Sequence, residues 1–235
     1  MTRFFIDTLP REGRVALNSE EKRHLASLRM REGDRVVLCD GHSLEAVCRL
    51  TDGGEAEILE FRASRNEPTI RVHLYPSVAK GERFEWMLQK ATELGVTSVT
   101  PVLSERCVAA APSAEKAERF RRIIKSAAEQ SGRGILPELR NPLAFNDVMT
   151  VAEGKKLFCY EEETEKSLKS ALTRESGLIN GVSLLTGPEG GYSPYEATEA
   201  VKNGWESVSL GGCILRCETA PIAVLSVIRY LEMSG

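Results

Sequence analysis

A chain of 235 residues is long enough to bury a sizeable core and suits one large domain or two modest ones. Its composition, 42% hydrophobic and 28% charged, is ordinary for a globular protein, and no apolar run approaches the roughly 18 to 20 residues that span a bilayer. A net charge of -3 excludes a protein that coats nucleic acid through its overall charge, although clustered basic residues can still set a local field.

The start of the chain lacks the apolar stretch of a signal peptide, so the expectation is a soluble, cytoplasmic protein with no membrane segment. The six cysteines are scattered, and His24, His42 and His73 sit far from any paired-cysteine motif. Neither a disulfide framework nor a metal site is expected, the C-x3-C of Cys213 and Cys217 being too little for zinc.

In chain order, residues 3–7, 14–17, 35–39, 44–50 and 56–61 read as short strands, separated by the turn chemistry of Gly33-Asp34, Asp40-Gly41 and Asp52-Gly53-Gly54. One short helix interrupts them, capped by Asn18 or Ser19 and running through His24, Leu25 and Leu28. Short strands joined by tight turns predict a small β-barrel. The polar stretch 64–68 ends in Pro68 and marks the boundary, giving domains 1–68 and 69–235.

Beyond Thr69 strands and helices alternate. Residues 70–78 read as a strand, Phe84, Met87, Leu88 and Ala91 mark a helix that stops at Gly95, and 99–103 is a strand again. Ala117, Phe120, Ile124, Ala127, Ala128 and Ser131 form one helical stripe. Around it, residues 116–140 carry seven basic against three acidic side chains, which composition alone assigns to a solvated helix face. Residues 157–160, 182–186 and 207–210 are apolar runs of the kind that fill a buried parallel sheet, so this half is α/β. Glu161, Glu162, Glu163 and Glu165 read as a solvated loop or helix start.

Two glycine-containing loops leave such runs: Thr186-Gly187-Pro188-Glu189-Gly190-Gly191-Tyr192-Ser193-Pro194, and Leu210-Gly211-Gly212-Cys213-Ile214-Leu215-Arg216-Cys217-Glu218-Thr219-Ala220. Glycine lets main-chain N–H and C=O groups approach a flat polar ligand, so a cofactor cleft is expected. Ser193-Pro194-Tyr195-Glu196 is a capping box that fixes the start of the next helix. The first loop has neither G-K-[ST] nor G-x-G-x-x-G, and Glu189 would repel phosphate, so an uncharged or cationic ligand fits better. The last helix carries a wide stripe through Ala220, Ala223, Val224, Val227, Ile228 and Leu231, with Pro221 in its first turn, as expected for core plus a dimer interface.

Taken together, these loops resemble the RsmE-type 16S rRNA uridine-N3 methyltransferases of the SPOUT superfamily. The resemblance extends through His24-Leu25, Leu28-Arg29, Gly33-Asp34, Lys80-Gly81, residues 90–96, Pro101, Glu105-Arg106 and residues 129–133, covering nearly the whole chain. It implies a PUA-like β-barrel followed by a knotted α/β SPOUT domain, a homodimer, S-adenosylmethionine as methyl donor, and 16S rRNA of the small ribosomal subunit as partner. It also implies that Thr186, Gly187, Pro188, Glu189, Gly190, Gly191, Leu210, Gly211, Gly212, Ile214, Leu215 and Thr219 hold the cofactor. Arg216 and Glu218 are then the catalytic candidates, organising the loop or assisting the target base. Arg3, His24, Arg29, Lys80, Lys90, Arg106 and Arg133 are expected to face RNA. The family commonly has Pro-Arg where this chain has Gly212-Cys213, which removes a cation beside the cofactor loop. Three other readings compete: a sibling enzyme acting on tRNA, a non-catalytic RNA-binding or ribosome-assembly protein, and a doubly wound nucleotide-binding enzyme, which the missing phosphate-loop lysine disfavours.

Overall fold

In the computed structural model, which describes residues 1–172 and 181–233, the short strands at the start of the chain pair into one five-stranded sheet. It is built from β1 (Thr2–Phe5), β2 (Arg14–Ala16), β3 (Arg35–Cys39), β4 (Leu44–Thr51) and β5 (Glu55–Ala63) in the order β1-β3-β4-β5-β2. β1 runs parallel to β3, and the other pairs are antiparallel. Between β2 and β3 lies α1 (Ser19–Ser27). Asn18, rather than Ser19, is its cap: the Asn18 carboxamide oxygen accepts from the Glu21 N–H, and the Glu21 carboxylate accepts from the Asn18 N–H at 2.7 Å. Phe4, Leu25, Val36, Leu38 and Cys48 fill the core of this sheet.

By its contacts the chain forms two compact units, one of Met1–Glu67 together with Lys125–Leu136, the other of residues 68–124 and the described residues from 137 on. In the first unit Ala128 packs with Phe5, Val37 and Cys39, and the Phe5 N–H donates to the Glu129 carboxylate at 3.1 Å. Expected from the sequence to face RNA, Arg3 and Arg133 are instead buried here, at 7% and 4% exposure. The reason is charge matching. The Arg3 guanidinium donates to the Glu45 carboxylate and to the Arg133 carbonyl, and Arg62 donates to the other Glu45 oxygen at 3.1 Å. Arg133 pairs with Glu67 at 2.9 Å, and the remaining Glu67 oxygen accepts the N–H groups of Gly134 and Ile135. A buried charge survives only when paired and hydrogen-bonded, and these are.

The second unit contains β6 (Val72–Pro76), α2 (Arg83–Glu93), β7 (Ser98–Val99), β8 (Val102–Leu103), the first part of α3 (Ala114–Ser131), β9 (Glu138–Leu139), β10 (Leu143–Ala144), α4 (Phe145–Val151), β11 (Lys155–Cys159), α5 (Leu168–Leu172), β12 (Val182–Thr186), α6 (Pro194–Lys202), β13 (Glu206–Val208) and α7 (Thr219–Met233). Six strands form a wholly parallel sheet in the order β13-β11-β12-β6-β7-β9. Parallel strands need crossovers, and the intervening helices supply them. Expected as one strand, residues 99–103 split into β7 and β8, because Pro101 has no N–H to continue a ladder. β8 pairs instead with β10 in a separate two-stranded ribbon.

β12 lies between β6 and β11, so the chain fills the gap only after both neighbours are in place along the sequence. Leu157, Leu184, Val208, Val224 and Ile228 lie in one buried cluster that joins these strands to α7. The end of α7 is tied back to the start of the unit, where Glu232 accepts from the N–H and hydroxyl of Thr69 and from the Ile70 N–H. Among the described residues no helix is long and apolar enough to cross a membrane, and no cluster of three metal-ligating side chains occurs.

The Glu45 ion network generates a stability prediction. Burial acts to raise the Glu45 pKa, but the bonds from Arg3 and Arg62 outweigh it and hold the carboxyl below its ordinary value. Its contribution is therefore complete above the unfolded carboxylate pKa of about 4.3 and is lost as pH falls through the lower folded value. Glu45→Ala strands the buried Arg3 charge and should cost about 3–5 kcal/mol in denaturant unfolding at pH 7. The difference between variant and parent should shrink on acidification below about pH 4.

Candidate active site

β13, β11 and β12 are adjacent and point the same way, so the segments that follow them emerge at one edge of the sheet. Ligands of open parallel sheets bind outside the carboxyl ends of the strands, and that is where a cavity of about 520 Å³ opens. Its volume suits a small molecule. Three segments line it, Cys159-Tyr160-Glu161 at the end of β11, residues 187–191 after β12 and most of residues 208–218 around the end of β13, with Arg83 and Ala220 completing the wall.

The first loop is held from behind. Ser193 caps α6, its hydroxyl accepting from the Glu196 N–H at 3.3 Å while Glu196 accepts from the Ser193 N–H at 3.0 Å. The other Glu196 oxygen accepts from the Glu105 N–H at 2.8 Å. The Gly191 N–H closes a turn onto the Pro188 carbonyl at 3.0 Å, with Gly191 at φ +66°, a conformation that glycine adopts at little cost. A Cβ on Gly191 would collide with the Glu161 carboxylate, and one on Gly187 would stand 3.0 Å from the buried Tyr192 ring. Glu189 accepts from the Lys80 N–H at 3.0 Å and from the Arg83 guanidinium at 3.3 Å. Arg106 donates to the Gly190 carbonyl at 3.1 Å.

The second loop offers main chain. Gly211, at φ +115°, turns the chain away from the sheet, and Thr219 and Ala220 donate their N–H groups to the Arg216 carbonyl where α7 begins. Between these points the N–H groups of residues 212–216 find no acceptor among the described residues. Five donors on one exposed loop form a ready contact for a ligand with acceptor atoms. Burial, with Glu218 beside it, pushes the Cys217 thiol up to about 12, so it stays protonated and donates to Glu218 at 3.2 Å.

Of the residues expected at the cofactor, Gly187, Pro188, Glu189, Gly190, Gly191, Leu210, Gly211, Ile214 and Leu215 line the cavity, together with Arg216 and Glu218. Thr186, Gly212 and Thr219 flank it without lining it; Thr186 is buried at the end of β12 with its hydroxyl unpartnered among the described residues. Arg83, Cys159, Tyr160 and Glu161 were missed by sequence reasoning. The signal for three of them was present, since 157–160 reads as a buried parallel strand and its carboxyl end belongs at the same edge.

Among the residues expected to face RNA, Lys80 and Arg106 are exposed in the second unit, and Arg29 is exposed just past α1 with φ 56°. His24 is exposed with its ring edge-on to Phe4 at 5.4 Å, and Lys90 is held by Glu93 at 2.8 Å. The basic run along α3 is partly neutralised, with Arg119 on Glu85 and Arg121 on Glu118. Among the described residues the cavity carries three carboxylates, Glu161, Glu189 and Glu218, against two guanidinium groups, Arg83 and Arg216. That balance suits a cation better than a phosphate.

Comparison with known proteins gives this geometry a context. The family model described as an RNA methyltransferase domain matches residues 65–229, and the one described as an RNA methyltransferase PUA domain matches residues 17–61. Ribosomal RNA small subunit methyltransferase E of Synechocystis sp. is 36% identical over 226 residues, 94% of this chain and 74% of the relative. Its counterpart in Bacillus subtilis is 32% identical over 247 aligned positions, 98% of this chain and 96% of the relative. The crystal structure of a ribosomal RNA small subunit methyltransferase E from Neisseria gonorrhoeae bound to S-adenosyl methionine is similar with a TM-score of 0.89 at 33% identity, covering 98% of both chains.

The two glycine loops should respond differently to a methyl group. Gly191→Ala places a Cβ at positive φ and should cost about 1–2 kcal/mol in chemical unfolding, the exposed Glu161 carboxylate swinging aside. Gly212→Ala meets open space without a positive φ and should leave the unfolding midpoint within about 0.5 kcal/mol of the parent.

Proposed function

The chain belongs to the ribosomal RNA small subunit methyltransferase E family, and we propose that it transfers a methyl group from S-adenosylmethionine to N3 of a uridine in 16S rRNA. The observation that carries the reading is the cavity at the carboxyl ends of β11, β12 and β13, walled by two glycine loops and lined by no lysine among the described residues.

The residues present fit this cofactor. Pro188, Leu210 and Leu215 give apolar surface for a purine, the N–H groups of residues 212–216 are available to its acceptor atoms, and the excess of carboxylates suits a positive ligand. When bound there, S-adenosylmethionine supplies a methyl carbon activated by a positive sulfonium. The chain's task is then positioning: the glycine loops hold the donor and a cationic side chain holds the base, so that nucleophile and methyl meet in line. N3 of uridine carries a proton, and its loss leaves negative charge spread over N3 and the flanking carbonyl oxygens. Arg216 lines the cavity with a guanidinium that has no ion pair among the described residues, and in this reading it stabilises that charge. Glu218, which accepts from the Cys217 thiol, orders the loop that carries Arg216.

The first unit, matched by the PUA family model, is the proposed RNA-binding module, with Arg29 and His24 exposed on it. Lys80, Lys90 and Arg106 are the candidates in the second unit. Arg3 and Arg133 are no longer among them. We also propose the trefoil knot, supported by the late insertion of β12 between β6 and β11 and by the packing of α7 against α2, β6 and β12. A homodimer through α7 is supported by Val227, Tyr230 and Met233, which that helix leaves exposed. The expected site of action is the bacterial cytoplasm, where ribosomal RNA is made.

Incubation with methyl-labelled S-adenosylmethionine and small ribosomal subunits lacking the modification, followed by nucleoside mapping, should yield 3-methyluridine in 16S rRNA. Arg216→Ala should lower the rate of methylation by about 10²–10³ while leaving cofactor affinity within a few-fold of the parent. Label in a different nucleoside would overturn the assignment of N3, and a wild-type rate would remove Arg216 from the chemistry.

A further inference from the structure

The three carboxylates of the cavity are not equivalent. Glu189 is bonded to the Lys80 N–H and to Arg83, and Glu218 accepts from Cys217. Glu161 accepts no hydrogen bond and makes no ion pair among the described residues. Its carboxylate, though exposed, lies against Gly191 of the first glycine loop, where a Cβ would displace it. Tyr160, before it, stacks on buried Phe158 with ring centroids 5.4 Å apart, which anchors the segment that presents it.

We propose that Glu161 is a specificity-determining residue that selects the positively charged methyl donor over its demethylated product. The proposal rests on the reading of the cavity as the S-adenosylmethionine site. Donor and product share the adenosine, the ammonium and the carboxylate, and they differ by a methyl group and one unit of positive charge at sulfur. Transfer of the methyl breaks its bond to sulfur and makes one to N3, N3 gives up its proton to solvent water, and the sulfur keeps the bonding pair and is left as a neutral thioether. A carboxylate without a protein partner is stabilised by the cation and gains nothing from the thioether. Glu161 therefore strengthens binding before transfer and not after it, which favours exchange of product for fresh donor. Because the side chain is solvent-exposed, the effect is a modest multiple rather than orders of magnitude.

The test is calorimetry of the full chain with S-adenosylmethionine, with S-adenosylhomocysteine, and with sinefungin, which carries an amine in place of the methylsulfonium and so keeps the charge. Glu161→Gln should weaken S-adenosylmethionine and sinefungin by about threefold to tenfold and leave S-adenosylhomocysteine within about twofold. Glu161→Asp, which keeps the charge, should retain most of the donor's advantage, and the thermal midpoints of both variants establish that they are folded. Equal weakening of all three ligands would make Glu161 a buttress of the Gly191 loop and overturn the proposal, as would no change in any of them. If the parent protein binds none of the three, the reading of the cavity fails and the proposal with it, an outcome distinct from equal weakening.

Discussion

The site depends on three neighbouring strands running in the same direction. β11 pairs in parallel with β12 on one side and β13 on the other, so the chain leaves all three at the same edge of the sheet. Were β13 antiparallel, residues 208–218 would emerge at the far edge and the cavity would lose most of a wall. The pairing is enforced by burial: Leu157, Phe158, Leu184 and Leu185 are fully buried, and a one-residue slip would exchange the faces on which they pack. Glycine then matters at two points of positive φ in the cavity wall, Gly191 and Gly211.

Much of this was legible in the sequence because the signals were local. Apolar runs at 157–160, 182–186 and 207–210 became β11, β12 and β13, and the Ser193-Pro194 capping box became the observed start of α6. What was not legible is long-range. Nothing local says that β12 enters between β6 and β11, or that the end of β11 lies beside the glycine loops, so Glu161 read as the start of a solvated acidic run. Arg83, on the first turn of α2, stands more than 100 positions before the loop whose Glu189 it meets.

Arg3 and Arg133 fail in the opposite direction. A charged side chain is read as surface by default, because burying one alone is costly. Their partners Glu45 and Glu67 lie 42 and 66 positions away, so the compensation is invisible until the fold brings them together. The same physics sorts the cavity carboxylates: a paired one such as Glu189 builds the wall, and one without an ion pair among the described residues, such as Glu161, is the one proposed to act on a ligand. Stability and selectivity thus draw on one rule about where charge finds its partner.

The edge formed by β11, β12 and β13 is the proposed S-adenosylmethionine site. Hydrogen exchange of the backbone with and without S-adenosylmethionine reads it directly, since the loop N–H groups that lack acceptors should become protected when a ligand accepts from them. Protection concentrated in residues 187–191 and 210–216 is the predicted result. Protection elsewhere, with these two loops exchanging as fast as in the free protein, would contradict it.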